Sequence, residues 1–242
     1  MFDQIIDRSI THYPFPIQKL PDDLKDSYWA EMTQGLEPEA VRKFLAWRWD
    51  KSKHHELATL REKLSTYEPA GISCCYGRSY LRLDHPHMND PASDAGCCYL
   101  GDPTSPPRSL EGNIPAAVHA VHGGRFGFPE VVEFYDLFSD LRESIDCCGH
   151  FVAPCDWVSL AVMMDGVIDA AEHGSWQSSV GVYHGRNGDM VMLDESGAVA
   201  WYCLSENTIL PIANTFAGFL HCLDDYLEKG WVLDSYSGRE GY

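Results

Sequence analysis

Hydrophobic and polar positions alternate most clearly in residues 179–230. Three short β-like runs come first: residues 180–184 (VGVYH), 189–194 (DMVMLD) and 198–203 (AVAWYC). Gly185-Arg186-Asn187-Gly188 and Glu195-Ser196-Gly197 separate them. Gly and Asn accept the positive φ that tight hairpin turns need, so the stretch predicts a three-stranded antiparallel meander. A helix should follow, because Phe216, Phe219, Leu220, Leu223 and Leu227 share one face at a 3.6-residue period. Asn214 or Thr215 is the expected N-cap and Gly230 the expected stop. Meander and helix would then hide each other's apolar faces, with Phe216 and Phe219 as core residues beneath the helix.

Upstream the pattern is more broken. Residues 1–16 read as loosely held, with Pro14 and Pro16 interrupting regular structure. Residues 21–34 predict a short helix opened by Pro21 and ended by Gly35. Residues 38–67 predict a helical hairpin or a kinked long helix, with Val41, Phe44, Leu45 and Trp49 on one face. Leu57, Leu60 and Leu64 continue that face after a polar break. Tyr80 to Leu83 suggest one strand. Residues 84–112 are rich in Pro, Asp, Ser and Gly and read as a connector. Further on, residues 114–121 suit a short helix or strand, 128–142 a helix, and 165–174 a short helix. Residues 157–163 (WVSLAVM) are ambiguous between helix and strand. The expected organisation is a helical extension (residues 1–70), a loop-rich connector with room for one strand (71–113) and an α+β domain (114–242). The expected fold class is α+β: a mixed, mainly antiparallel β-sheet with packed helices plus the N-terminal extension.

Charge changes this picture. The chain has 242 residues and a formal net charge of −18. Residues 1–70 hold 10 Lys and Arg against 12 Asp and Glu, a net of −2; residues 71–242 hold 8 against 24, a net of −16. An acidic field of this size repels nucleic acid and anionic lipid and attracts basic partners. The start of the chain lacks a basic segment followed by a long apolar run, and no stretch approaches the roughly 20 apolar residues of a membrane span. A cytoplasmic protein with reduced thiols is the expectation for its 9 cysteines.

Candidate chemistry is sparse. Cys74-Cys75, Cys97-Cys98 and Cys147-Cys148 are adjacent pairs, whereas zinc knuckles space their thiolates by two to four residues. Asp84, His85, His87 and Asp90 could join such a pair, but buried thiols and ordinary loop residues are the preferred reading, with no metal and no cofactor expected. Serine-elbow, phosphate-loop and His-Glu-x-x-His motifs are missing. A Cys nucleophile with His119, His122 or His150 stays open on paper. Asp194-Glu195 falls in a turn, and Asp224-Asp225 is expected on the exposed side of the last helix. Alternation puts Trp201 and Tyr202 on opposite sheet faces. One of them should pack under the last helix. The other is either a second core layer or, within an acidic rim, an anchor for a partner.

Two segments carry a family resemblance. The first is Gly188-Asp189, an apolar strand over 190–193, Asp194-x-x-Gly197, Trp201-Tyr202, then Ile212-Ala213 followed by Phe216 and Phe219-Leu220. The second is Phe126-Gly127-Phe128-Pro129-Glu130 leading into a helix. Together they resemble the SUKH superfamily over about residues 114–231. The resemblance implies a structural role for Gly188 and Asp189, the carboxylate tying its turn through backbone N–H groups. It also implies an immunity protein that binds and neutralises a cognate toxin, expected to be basic, with a nuclease as one candidate. Asp165, Glu172, Trp176, Asp194, Glu195 and Trp201 are the expected binding residues. The alternatives are a non-catalytic regulatory scaffold of the same superfamily and, from another class, a small Cys/His- or Asp-dependent hydrolase.

Overall fold

A computed structural model describes residues 10–29, 37–50, 52–75, 78–87, 96–101, 125–138, 140–142, 149–152, 154–164, 170–185 and 188–228. Its frame is one ten-stranded sheet in which every strand pairs antiparallel with its neighbour in sequence. The strands are β1 (Thr11–Pro14), β2 (Glu68–Cys75), β3 (Arg78–Asp84), β4 (Cys97–Gly101) and β5 (Leu141–Arg142). They continue as β6 (His150–Phe151), β7 (Val180–His184), β8 (Met190–Leu193), β9 (Val199–Cys203) and β10 (Thr208–Ala213). The helices are α1 (Pro38–Trp49), α2 (His55–Ser65), α3 (Pro129–Phe138), the single turn α4 (Leu160–Met163) and α5 (Phe216–Glu228). The class is α+β.

Helices α1, α2, α3 and α5 share one apolar core with one face of this sheet. That core runs in sequence from Ile17 to Leu227 and joins Trp49, Leu60, Leu81, Leu100, Phe134, Phe151, Trp201 and Phe219. Phe216 and Phe219 are fully buried in it. Polar ties cross the same region. Glu133 of α3 takes hydrogen bonds from Ser52 Oγ and from the backbone N–H groups of Lys53 and His54, directly before α2. A carboxylate there satisfies orphan donors and faces the positive end of the helix. In return Arg48 of α1 donates to the carbonyls of Asp136 and Leu137 at the end of α3. Tyr67 Oη donates to the Leu227 carbonyl of α5 at 2.8 Å.

Several expectations change. The helical hairpin of residues 38–67 is present as α1 and α2, but it packs on the same sheet and core as the C-terminal half. The connector is more ordered than its Pro and Gly content suggests: residues 71–113 supply most of β2 and all of β3 and β4, where one strand was expected. Residues 11–14 pair with β2 despite Pro14, which is tolerated because β1 is an edge strand. The meander gains a fourth strand, β10, which bulges between Pro211 and Ala213 against β9. Residues 21–34 give a 3-10 turn at Asp22–Leu24 and a helical start at Tyr28 and Trp29. The residues expected to form a helix or strand at 114–121 lie outside the described ones. Among the described residues no helix is long and apolar enough to cross a membrane.

Candidate functional site

The second face of the sheet, turned away from the four core helices, is where polar groups gather. Its register lines up one residue from each strand: Pro14, Gly71, Arg82, Tyr99, Arg142, His150, His184, Met190, Tyr202 and Ile209 are successive cross-strand partners. Strict alternation sends every second side chain to this face, so the row is a direct consequence of pairing order. One member needs a further device. Gly181 lies on the far face, and three residues later simple alternation would put His184 in the core. A β-bulge between Gly181 and Tyr183 inserts the extra residue that returns His184 to the far face and leaves Tyr183 in the core.

The row changes character along its length. At the β3–β5 end the charges are paired. Arg82 Nε donates to Asp84 Oδ1 at 2.6 Å, and the Cys97 thiol donates to the same oxygen at 3.2 Å. Arg142 grips Asp140 with two parallel bonds of 2.8 Å and stands 5.0 Å from the centre of the Tyr80 ring. Gly101 permits that geometry, since a β-carbon there would fall 2.7 Å from Asp140 Cβ. Burial raises the Tyr80 phenol above its ordinary value, with the Asp140 charge adding to it. At the β7–β9 end the same face is apolar: Leu160 and Met164 cover Met190, Met192 and Tyr202. Between the two ends the rings of His150 and His184 stand 5.4 Å apart, edge to face. Burial pushes His150 down to about 3, helped by the positive charge of Arg142, and burial also lowers His184. His150 Nδ1 is buried and makes no hydrogen bond.

The expected site residues fare differently. Trp201 cannot serve as a partner anchor: it is 3% exposed and belongs to the main core. Tyr202 is on the opposite face, as alternation requires, where α4 covers it. Trp176 is half-buried against the methionine cluster. Asp194 is spent inside its own turn, where Oδ1 accepts from Ser196 N, Ser196 Oγ and Ala198 N. Glu195 is exposed and pairs with Arg125 at 2.5 Å. Glu172 lies in the 3-10 segment Ala170–Ser178. Asp165 lies outside the described residues. Gly188 has φ +83°, which favours glycine. Asp189 accepts the backbone N–H of Leu204 at 2.9 Å, so it ties its turn to the end of β9.

Asp224 needs correction as well. It is 4% exposed, not on the open side of α5; neither carboxylate oxygen has a partner, and burial raises its pKa to about 7. Asp225, beside it, is exposed as expected. Cys74, Cys75, Cys97, Cys98, Cys203 and Cys222 are not joined in disulfides, and Cys75, Cys97 and Cys98 are buried. His85 is buried against Tyr67 and its Nε2 meets the Glu228 carbonyl at 3.2 Å. Among the described residues no three His, Cys, Asp or Glu side chains come together as a metal site. His119 and His122 lie outside the described residues. Nothing in the residue pattern marks the His12–Ser73 contact, 2.6 Å between Nδ1 and Oγ across β1 and β2. Ser73 is buried there, so the contact serves to hold the edge strand.

No family model matches the chain, and neither the curated proteins nor the solved structures give a match.

Proposed function

We propose that the chain is an immunity protein, a binding protein that captures and neutralises a basic protein toxin. One observation carries this reading. In residues 71–242 the acids outnumber the bases three to one, and the described bases are largely neutralised within the fold. Arg82 is held by Asp84, Arg142 by Asp140 and Arg125 by Glu195. Asp156, Glu206 and Asp225 are exposed. The unbalanced charge therefore faces solvent, where it draws in a partner of opposite sign from beyond contact range. The SUKH resemblance of residues 114–231 supplies the biological form of such a partner. Exposed Val158, just before the Ser159 N-cap, and exposed Val162 in α4 lie close in sequence to Asp156 and offer apolar contact beside that charge.

The test has two stages. Co-expression with the product of a toxin gene encoded directly upstream should restore growth and give a stoichiometric complex. Failure to form any complex with that product sinks the reading. Binding kinetics at several salt concentrations then address the mechanism. At 0.15 M salt the Debye length is about 8 Å, so the on-rate should fall as salt rises while the off-rate changes little. A flat on-rate would leave binding intact but remove steering from the account.

A further inference from the structure

The seam of the far face holds donors that neither the core nor a partner surface uses. A β-carbon built on Gly181 would stand 3.2 Å from Met190 Sδ, 3.9 Å from His184 Nε2 and 4.0 Å from Met192 Sδ. Two thioethers and an imidazole nitrogen thus converge over a residue that has no side chain. Gly181 is not required by its backbone, which lies outside the positive-φ region, and the atoms nearest the missing carbon are ends of side chains. What the glycine leaves is room. His150 is the cross-strand neighbour of His184 on the side away from Met190, with ring centres 5.4 Å apart, and its buried Nδ1 has no hydrogen-bond partner.

We propose that His150, His184, Met190 and Met192 form a binding site for a soft monovalent metal ion of the Cu(I) class. Thioethers are soft donors that hard cations pass over, and imidazole accompanies them in copper sites. An imidazole nitrogen sits about 2.0 Å from a bound first-row metal ion, which puts its ring centre roughly 3 Å away. Two such rings around one ion then have centres about 5 Å apart, close to the separation seen. The thioethers must close in by about 1–2 Å to reach bonding distance, and methionine, with three rotatable bonds, has that freedom. Burial keeps both imidazoles neutral, the form that ligates. Both histidines are only half-buried, which leaves an approach from solvent. Apolar packing alone accounts for Met192 against Tyr202, but it does not account for two thioethers and an imidazole nitrogen converging over a glycine next to a second histidine whose buried Nδ1 has no partner.

The full chain, labelled with 13C at its methionine methyl groups, can be titrated under anaerobic conditions with Ag(I), a redox-inert soft ion, and then with Cu(I). Two methyl signals, assigned by their loss in Met190→Leu and Met192→Leu, should shift together and saturate at one ion per chain. The other methionine methyls should stay in place. His184→Gln should weaken the response by about 10- to 100-fold, and Gly181→Ala should abolish it while the melting temperature stays within a few degrees. Uptake at this site should release no proton near pH 7, whereas each thiol that binds metal releases one. Metal uptake with both methyl signals unmoved would assign the ion to cysteines and overturn the proposal. So would an unchanged response in both His184→Gln and Gly181→Ala.

Discussion

The two ends of the far sheet face are built from the same alternation and close in opposite ways. At β3–β5 the row carries Arg82 and Arg142 on either side of Tyr99, each arginine matched to a carboxylate at 2.6–2.8 Å. At β7–β9 it is filled by Met190, Met192 and Tyr202 under Leu160 and Met164. The first solution is demanding, because a buried charge without its partner is costly. The second is forgiving, because thioether chains repack. The histidines stand where the two solutions meet, and neither end supplies His150 Nδ1 with a partner.

Substitutions can break this contrast. Asp140→Ala should destabilise the fold by about 3 kcal/mol or more, since it leaves the largely buried Arg142 unpaired. Adding Arg142→Met should restore most of that loss, because a shape-matched apolar pair needs no counter-charge. Denaturant unfolding of the single and double variants measures both. A single variant as stable as the parent would show that the polar end is not locked by its ion pair.

The next effect is in pH, and it compares a far-face group with a core-face one. His150 is held at about 3, so the unfolded chain protonates it near 6.5 while the folded chain does not. Its contribution is fully present above about pH 6.5 and is lost as pH falls toward 3. Asp224 is held at about 7, so the folded chain keeps a proton that the unfolded chain gives up near 4. Its contribution is fully present below about pH 4 and is lost as pH rises through 7. The two slopes oppose each other over nearly the same window. In Asp224→Asn, stability should rise more steeply with pH between 4 and 6.5 than in the parent. His150→Gln should tilt it the other way. Melting temperatures across pH 4–8 decide, and parallel curves for all three proteins would refute the paired assignment.

The smallest effect belongs to the forgiving end. Met192→Leu keeps volume and polarity and should cost less than about 1.5 kcal/mol. A loss as large as that of Asp140→Ala would mean that the methionine end is as tightly specified as the polar one.

What the sequence reveals of this arrangement follows from how far each element depends on distant partners. The β7–β9 meander and α5 are legible because their turns carry Asn-Gly and Ser-Gly and their helix has one apolar stripe. Of β2–β4 only β3 is, through Tyr80 to Leu83; β2 and β4 are not, because burial on both faces blurs their alternation. Cys97-Cys98-Tyr99-Leu100-Gly101 is buried at every position and shows no alternation to read. β10 is hidden for another reason: TILPIA carries a proline and lies at the sheet edge, where packing imposes little pattern. Alternation separates Trp201 from Tyr202 correctly but does not say what covers each face. The position of His184 escapes altogether, since a bulge reverses parity in the middle of a strand. Asp224 escapes because its neighbour Asp225 makes the pair look like an ordinary solvated face.

The sequential order of the strands sets how the chain assembles. Every rung of the sheet joins neighbours in sequence, and the pairs β2–β3, β7–β8, β8–β9 and β9–β10 can form as hairpins with little loop entropy lost, whereas β1 meets β2 and β4 meets β5 only across long insertions. The contact between α2 and α5 is different in kind. Tyr67 reaches Leu227 across 160 residues, and that closure gains nothing until both flanks are built. The chain thus combines hairpin growth with long-range closures, of which this seal spans 160 residues. Strengthening the seal should slow unfolding and leave the rate of sheet growth almost unchanged.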